Sequence, residues 1–106
     1  MWKDIINLIY TIKGKDADGF VTETEVKTEV YANKKSVSRT EYYKAMEIGM
    51  QPECIFEMHS DDYRLSEHEV SGKKRYADFI EHDGVKYTIG RTYEKTDGKL
   101  EVTCYG

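Results

Sequence analysis

The chain has 106 residues, enough for one domain with a small core and too few to enclose a large cavity. Apolar residues make up 39% and charged residues 34%; apolar alternation through most of the chain excludes disorder despite that solvated composition. The net charge of −4 argues against a general nucleic-acid binder, which carries a basic excess.

The start, Met1-Trp2-Lys3-Asp4, does not read as a secretory leader, and no apolar run is long enough to span a bilayer as a helix. No membrane partner is expected. Residues 4–13 read as a strand with Ile6, Leu8, Tyr10 and Ile12 on one face. Ile5 and Ile9 make the other face partly apolar, so the strand is expected to be covered on both sides. Residues 13–19 carry turn chemistry. Asp16-Ala17-Asp18-Gly19 lacks the remaining acidic positions of a calcium loop and reads as a plain turn.

Residues 20–33 alternate. Phe20, Val26, Val30 and Ala32 share the even row with three threonines, and Glu23, Glu25, Lys27 and Glu29 share the odd row. Period two over this length predicts a long strand with one wet, acidic face. Residues 38–48 break the pattern. Ser38 and Glu41 fit a capping box, good helix formers follow, Gly49 suits the position after the helix, and Pro52 stops continuation. This is the one helix expected. Its large residues, Tyr42, Tyr43, Met46 and Met50, form no single stripe. Residues 53–59 read as a strand with Cys54, Phe56 and Met58 on one face, and residues 60–74 as a long polar loop, with room for a short strand.

The last third contains three alternating runs separated by Asp83-Gly84 and Asp97-Gly98. A three-residue loop at residues 82–84, ending in a bulge at Gly84, pairs Tyr87 with Phe79 and Ile89 with Ala77. A two-residue turn would instead set Ile89 opposite Asp78, so the three-residue loop is preferred. A four-residue loop at residues 95–98 pairs Tyr93 with Leu100 and Ile89 with Cys104. The inward row is then Val85, Tyr87, Ile89, Leu100, Val102 and Cys104. Together these runs predict an all-β fold, a small antiparallel β-barrel with one short helix, as a single domain over residues 1–106. Cys54 and Cys104 fall in strands and read as reduced core residues; spacing alone leaves a disulfide open.

No constellation in the sequence points to chemistry. His59, His68 and His82 lie in separate segments without metal-ligand spacing, so no metal or cofactor is expected. Ser38 is explained as a cap, and the adjacent Asp61 and Asp62 would point to opposite faces of a strand. There is no glycine-rich phosphate loop. No enzymatic activity is expected.

The order and spacing of the whole set resemble the phage head–tail joining family, the head-closure or stopper proteins. The residues that carry the likeness are Val30-Tyr31-Ala32 at the end of the long strand, then the run from Ser38 to Ala45. The strand from Pro52 to His59, the run from Asp83 to Ile89, Tyr93, and the closing strand from Leu100 to Cys104 complete it. The segment at residues 60–74 is extended relative to that pattern.

The resemblance implies a twelve-fold homo-oligomeric ring in the virion neck, made in the bacterial host cytoplasm. Such a ring stacks below the portal and adaptor proteins, helps retain packaged DNA, and docks the tail-completion protein. DNA passes through it without sequence-specific binding. Two other classes remain: a small β-barrel nucleic-acid module, which the acidic strand opposes, and a toxin-like ribonuclease using a histidine with a Glu. On the ring reading, Arg39, Tyr42, Tyr43, Lys44, Met46 and Met50 are the expected partner contacts, together with the loop at residues 60–74. The competing reading is that Tyr43 and Met46 plug one end of the barrel.

Overall fold

The computed structural model describes residues 2–37, 39–47, 49 and 51–105, apart from the side chains of Glu41 and Ala45. Its elements are β1 (Asp4–Lys15), β2 (Val21–Lys35), α1 (Arg39–Glu47), β3 (Pro52–His59), α2 (Ser60–Arg64), β4 (His68–Val70), β5 (Lys73–Arg75), β6 (Phe79–His82), β7 (Val85–Glu94) and β8 (Lys99–Tyr105). Strands β1, β2, β3, β8, β7 and β6 bond in that order and β6 returns to β1, closing a small antiparallel barrel. β4 and β5 form a separate hairpin. The expected Ser38 cap and the helix end at Ile48 lie outside the described residues. Gly49 follows α1 with φ 77°, its N–H donating to the Met46 carbonyl.

The core is the inner face of the barrel, where period-two alternation sends every second side chain. Ile6, Leu8, Phe56, Met58, Ile80 and Val102 are all fully buried. Phe56 sits among them, its ring 5.6 Å from His82 and 5.7 Å from Tyr87. Cys54 and Cys104 are directly paired across β3 and β8, buried and free.

The structure corrects both hairpin registers. β6 and β7 join through a two-residue turn, with Asp83 at φ 50° and Gly84 at φ 77°. Two successive positive φ values give the turn whose twist matches the flanking strands, and Gly84 adopts one without a Cβ penalty. Ile80 therefore faces Tyr87, both buried, while Val85 at the turn is 48% exposed instead of inward. The feared burial of Asp78 does not arise. β6 stops at Phe79, and Asp78 is exposed even though its carbonyl accepts from the Ile89 N–H.

At the second hairpin, Lys95 N–H donates to the Lys99 carbonyl, leaving a three-residue loop, and Glu94 rather than Tyr93 faces Leu100. The expected Ile89–Cys104 pairing survives because the register shifts at Gly90. A Cβ at Gly90 would fall 1.6 Å from the Tyr105 ring, so the ring closes over bare backbone there.

The segment expected to be a loop is folded. α2 follows β3 directly and turns Tyr63 into the core, 5.3 Å from the Tyr76 ring. Burial pushes the Tyr63 phenol up to about 12, so it stays neutral at physiological pH. Ser66, fully buried, donates to the Tyr63 carbonyl at 2.8 Å and accepts from the Ala77 N–H at 2.9 Å. That hydroxyl ties α2 to the chain entering β6. Ser66→Ala leaves the Ala77 N–H buried without a partner. We expect a loss of about 1–3 kcal/mol, read as a lower urea midpoint at unchanged slope.

Candidate interaction surfaces

α1 stands on the long connection between β2 and β3. Arg39, Tyr42, Tyr43, Lys44 and Met46 are all exposed, with Tyr42 at 39%, Tyr43 at 60% and Met46 at 43%. Tyr42 and Tyr43 meet edge to face at 6.1 Å. Such exposure does not fit a barrel plug; Tyr63 of α2 occupies a buried position in the core instead. Met50 lies outside the described residues.

A second projecting element is the end of the β1–β2 hairpin. β6 pairs only with Asn7, Leu8 and Ile9 of β1, and β3 pairs only with the last residues of β2, from Ala32 on. Residues 10–15 and 21–26 thus pair with each other alone and form a two-stranded arm. Its tip is held by Asp16, whose carboxylate accepts from the N–H groups of Asp18 and Phe20 at 3.0 and 2.9 Å. Ile12, Phe20 and Val21 on the arm are 50%, 70% and 68% exposed. The expected two-sided cover of β1 holds only around Leu8 and Ile9, which are both buried, while Ile5 is 53% exposed.

Between the arm and the β4–β5 hairpin lies a cleft of about 680 Å³, lined by Thr11, Ile12 and Lys13 on one side and His68, Val70 and Arg75 on the other. His68 stacks on Tyr10 at 3.8 Å and its Nδ1 donates to the Ser66 carbonyl. The cleft is mixed in charge, since Glu23, Glu69 and Asp78 also line it.

The histidines make three separate sets of contacts. The Trp2 indole N–H donates to His59 Nε2 at 2.8 Å. His68 serves the cleft wall. His82 Nε2 meets Asp4 Oδ1 at 3.2 Å, and the other Asp4 oxygen accepts from the Lys34 N–H at 3.0 Å. That backbone bond, with His82 adding to it, lowers the Asp4 carboxyl from its ordinary value. Lys34 in turn reaches the Tyr87 hydroxyl at 3.4 Å. These contacts tie β1, β2, β6 and β7 together. Among the described residues no group of three His, Cys, Asp or Glu side chains is placed to hold a metal ion.

One buried charge cluster lies on the outer face of β3. Glu57 is 6% exposed and accepts from Lys95 at 2.7 Å and Lys35 at 3.0 Å, with Glu101 at 3.5 Å from both lysines. The Lys95 hydrogen bond, chiefly, holds the Glu57 carboxyl below its ordinary 4.5, against the burial that pushes it up; Lys35 adds to the lowering. The folded value is thus lower than the unfolded one. The stabilisation is whole above the unfolded value and fades as pH falls through the folded value. Glu57→Gln should cost about 1 kcal/mol at neutral pH, less than the roughly 1.5–3 kcal/mol of a charged hydrogen bond because both lysines are partly exposed. It should also flatten the acid limb of a melting temperature–pH profile below the ordinary carboxyl value.

No protein-family model matches the chain, and comparison with curated proteins finds no match.

The arm was not expected from the sequence. The signal lies in the even row of β2. Thr22 and Thr24 precede Val30 and Ala32, so Val26 alone gives the first half of that row of the strand an apolar side chain. Those two threonines are exposed, whereas Val30 and Ala32 are buried.

Proposed function

We propose that the chain is a structural protein of a phage virion neck, a head-closure or stopper subunit. It forms a ring below the portal and adaptor, helps retain packaged DNA, and docks the tail-completion protein. The observation that carries this reading is the division of the molecule into a filled barrel and two projecting elements with exposed aromatic and aliphatic side chains. A barrel complete in itself gains nothing from Tyr42, Tyr43, Met46 or Phe20 in water, whereas a subunit seated between neighbours uses them. Tyr, Met and Arg are the types enriched in interface cores, and α1 presents all three on one short helix. The net charge of −4 favours DNA passing without adhering. On this reading the chain is not an enzyme, and it uses neither metal nor cofactor.

The test is loss of the chain during assembly. Heads made without it are expected to package DNA, leak it, and fail to join tails; addition of purified protein should restore joining. Heads that hold DNA and join tails equally well without it would contradict the reading. The Asp4–His82 pair supports a second reading, a small ribonuclease with His82 as its acid–base group. RNA cleavage by the purified protein, abolished in His82→Ala, would favour it.

A further inference from the structure

The arm leaves two strand edges open. Among the described residues, β1 past Ile9 pairs only with β2, the β4–β5 hairpin standing across the cleft from it, and β2 before Ala32 pairs only with β1. Even residues of β1 face even residues of β2, and the Ile9 carbonyl points the other way, accepting from the Asp78 N–H. By the same alternation the main-chain groups of Thr11, Lys13 and Lys15 face the open side of β1. Those of Glu23, Glu25, Lys27 and Glu29 face the open side of β2.

The two edges carry opposite charge. The edge-facing residues of β1 include Lys13 and Lys15 and no acid, while Glu23, Glu69 and Asp78 line the cleft beside them together with Arg75. The β2 edge has three glutamates and one lysine. Lys27 is already engaged with Glu81 at 3.5 Å and Glu25 with Lys86 at 2.7 Å, which leaves Glu23 and Glu29 as the more available acids. Glu23 meets Lys13 of its own chain at only 3.8 Å, both well exposed.

We infer that in the assembled ring the arms pair edge to edge, the β2 edge of one copy bonding the β1 edge of the next. This rests on the ring reading above and names the contact that builds it. The charges select the mode. Pairing β1 with β1 sets lysine against lysine, pairing β2 with β2 sets glutamate against glutamate, and only β2 against β1 is complementary. That contact joins unlike surfaces, so it propagates head to tail and closes as a ring. A rotation axis along the arms also keeps the alternation, since β2 of one copy then runs antiparallel to β1 of the next. The incoming strand enters the cleft beside Thr11 and Lys13 and covers Ile12. Charged edges also serve simply to keep strands from pairing. Opposite signs on the two edges and three exposed apolar residues on the arm are poor guards.

The test uses two charge-reversed chains. One carries Lys13→Glu and Lys15→Glu, the other Glu23→Lys and Glu29→Lys. Each alone faces like against like and should need roughly tenfold more protein, or more, to reach half-assembly. Mixed in equal amounts they are complementary in strict alternation, so assembly should return near the wild-type midpoint. Native mass spectrometry should then show equal numbers of the two. Unchanged melting temperatures confirm that both variants fold. If the wild-type ring forms and both variants assemble as readily, arm pairing is overturned and the ring reading stands. Failure of the mixture to recover while each variant folds overturns arm pairing as well. A wild-type chain that forms no ring at any concentration, alone or on the portal–adaptor complex, overturns both.

Discussion

Phe56→Ala should unfold the protein at or near physiological temperature. Phe56 is fully buried, packs edge-on against His82 and Tyr87, and sits on β3, which bonds β2 on one side and β8 on the other. Truncating a buried phenylalanine removes its transfer free energy and leaves a cavity, together about 3–5 kcal/mol. A domain of this size has about 5–15 kcal/mol in total. With a melting shift of about 4–8 °C per kcal/mol, the variant should melt at least roughly 12 °C lower by circular dichroism. Phe56→Leu, which keeps most of the volume, should lose much less. A loss under about 1 kcal/mol in Phe56→Ala would mean that the barrel interior is not the packed core described, given the range for such truncations.

The second large effect concerns assembly and leaves folding alone. Arg39→Ala combined with Tyr42→Ala removes two exposed side chains from α1. Surface changes of this kind move stability by no more than about 0.5 kcal/mol each, so the melting temperature of the isolated subunit should barely shift. If α1 seats against a neighbour or a neck partner, each anchor contributes about 2 kcal/mol or more to binding. Heads assembled with the double variant should then lose DNA or fail to join tails. A clear fall in melting temperature, with normal joining by the protein that remains folded, would move these residues from the interface to the fold.

The barrel was legible because its strands advertise themselves. Alternation in residues 4–13, 20–33 and 53–59 and the two Asp-Gly turns specify an antiparallel sheet, and Gly49 with Pro52 signals that α1 stops before β3. The details that escaped are non-local. Parity alone could not choose the β6–β7 register, because that choice depended on where β6 stops and on Asp78 escaping to solvent beyond it. The pairing of Ile89 with Cys104 was anticipated from a loop one residue too long, and the bulge at Gly90 supplied the compensating residue. Nothing local to Gly90 announces that Tyr105 will lie across it.

Residues 60–74 read as a loop because their polar residues hide one apolar anchor, Tyr63, and two buried serines, Ser60 and Ser66. The Ser71-Gly72 turn, with φ of 53° and 79°, was the local sign of the β4–β5 hairpin. Of the candidate interaction residues, those on α1 were visible as large side chains without a common stripe. The arm was marked only by Thr22 and Thr24 in the even row of β2; how far it protrudes depends on how far β3 and β6 extend, which the sequence of β1 and β2 does not contain.

The central claim is that this barrel is a ring subunit of a phage neck. Native mass spectrometry of the portal–adaptor complex, incubated with excess purified chain, tests it most directly. The account predicts a discrete added mass of twelve copies, arranged as one ring below the adaptor in electron micrographs of the same sample. Portal–adaptor complexes that gain no mass, beside a chain that remains free at every concentration tried, would contradict it.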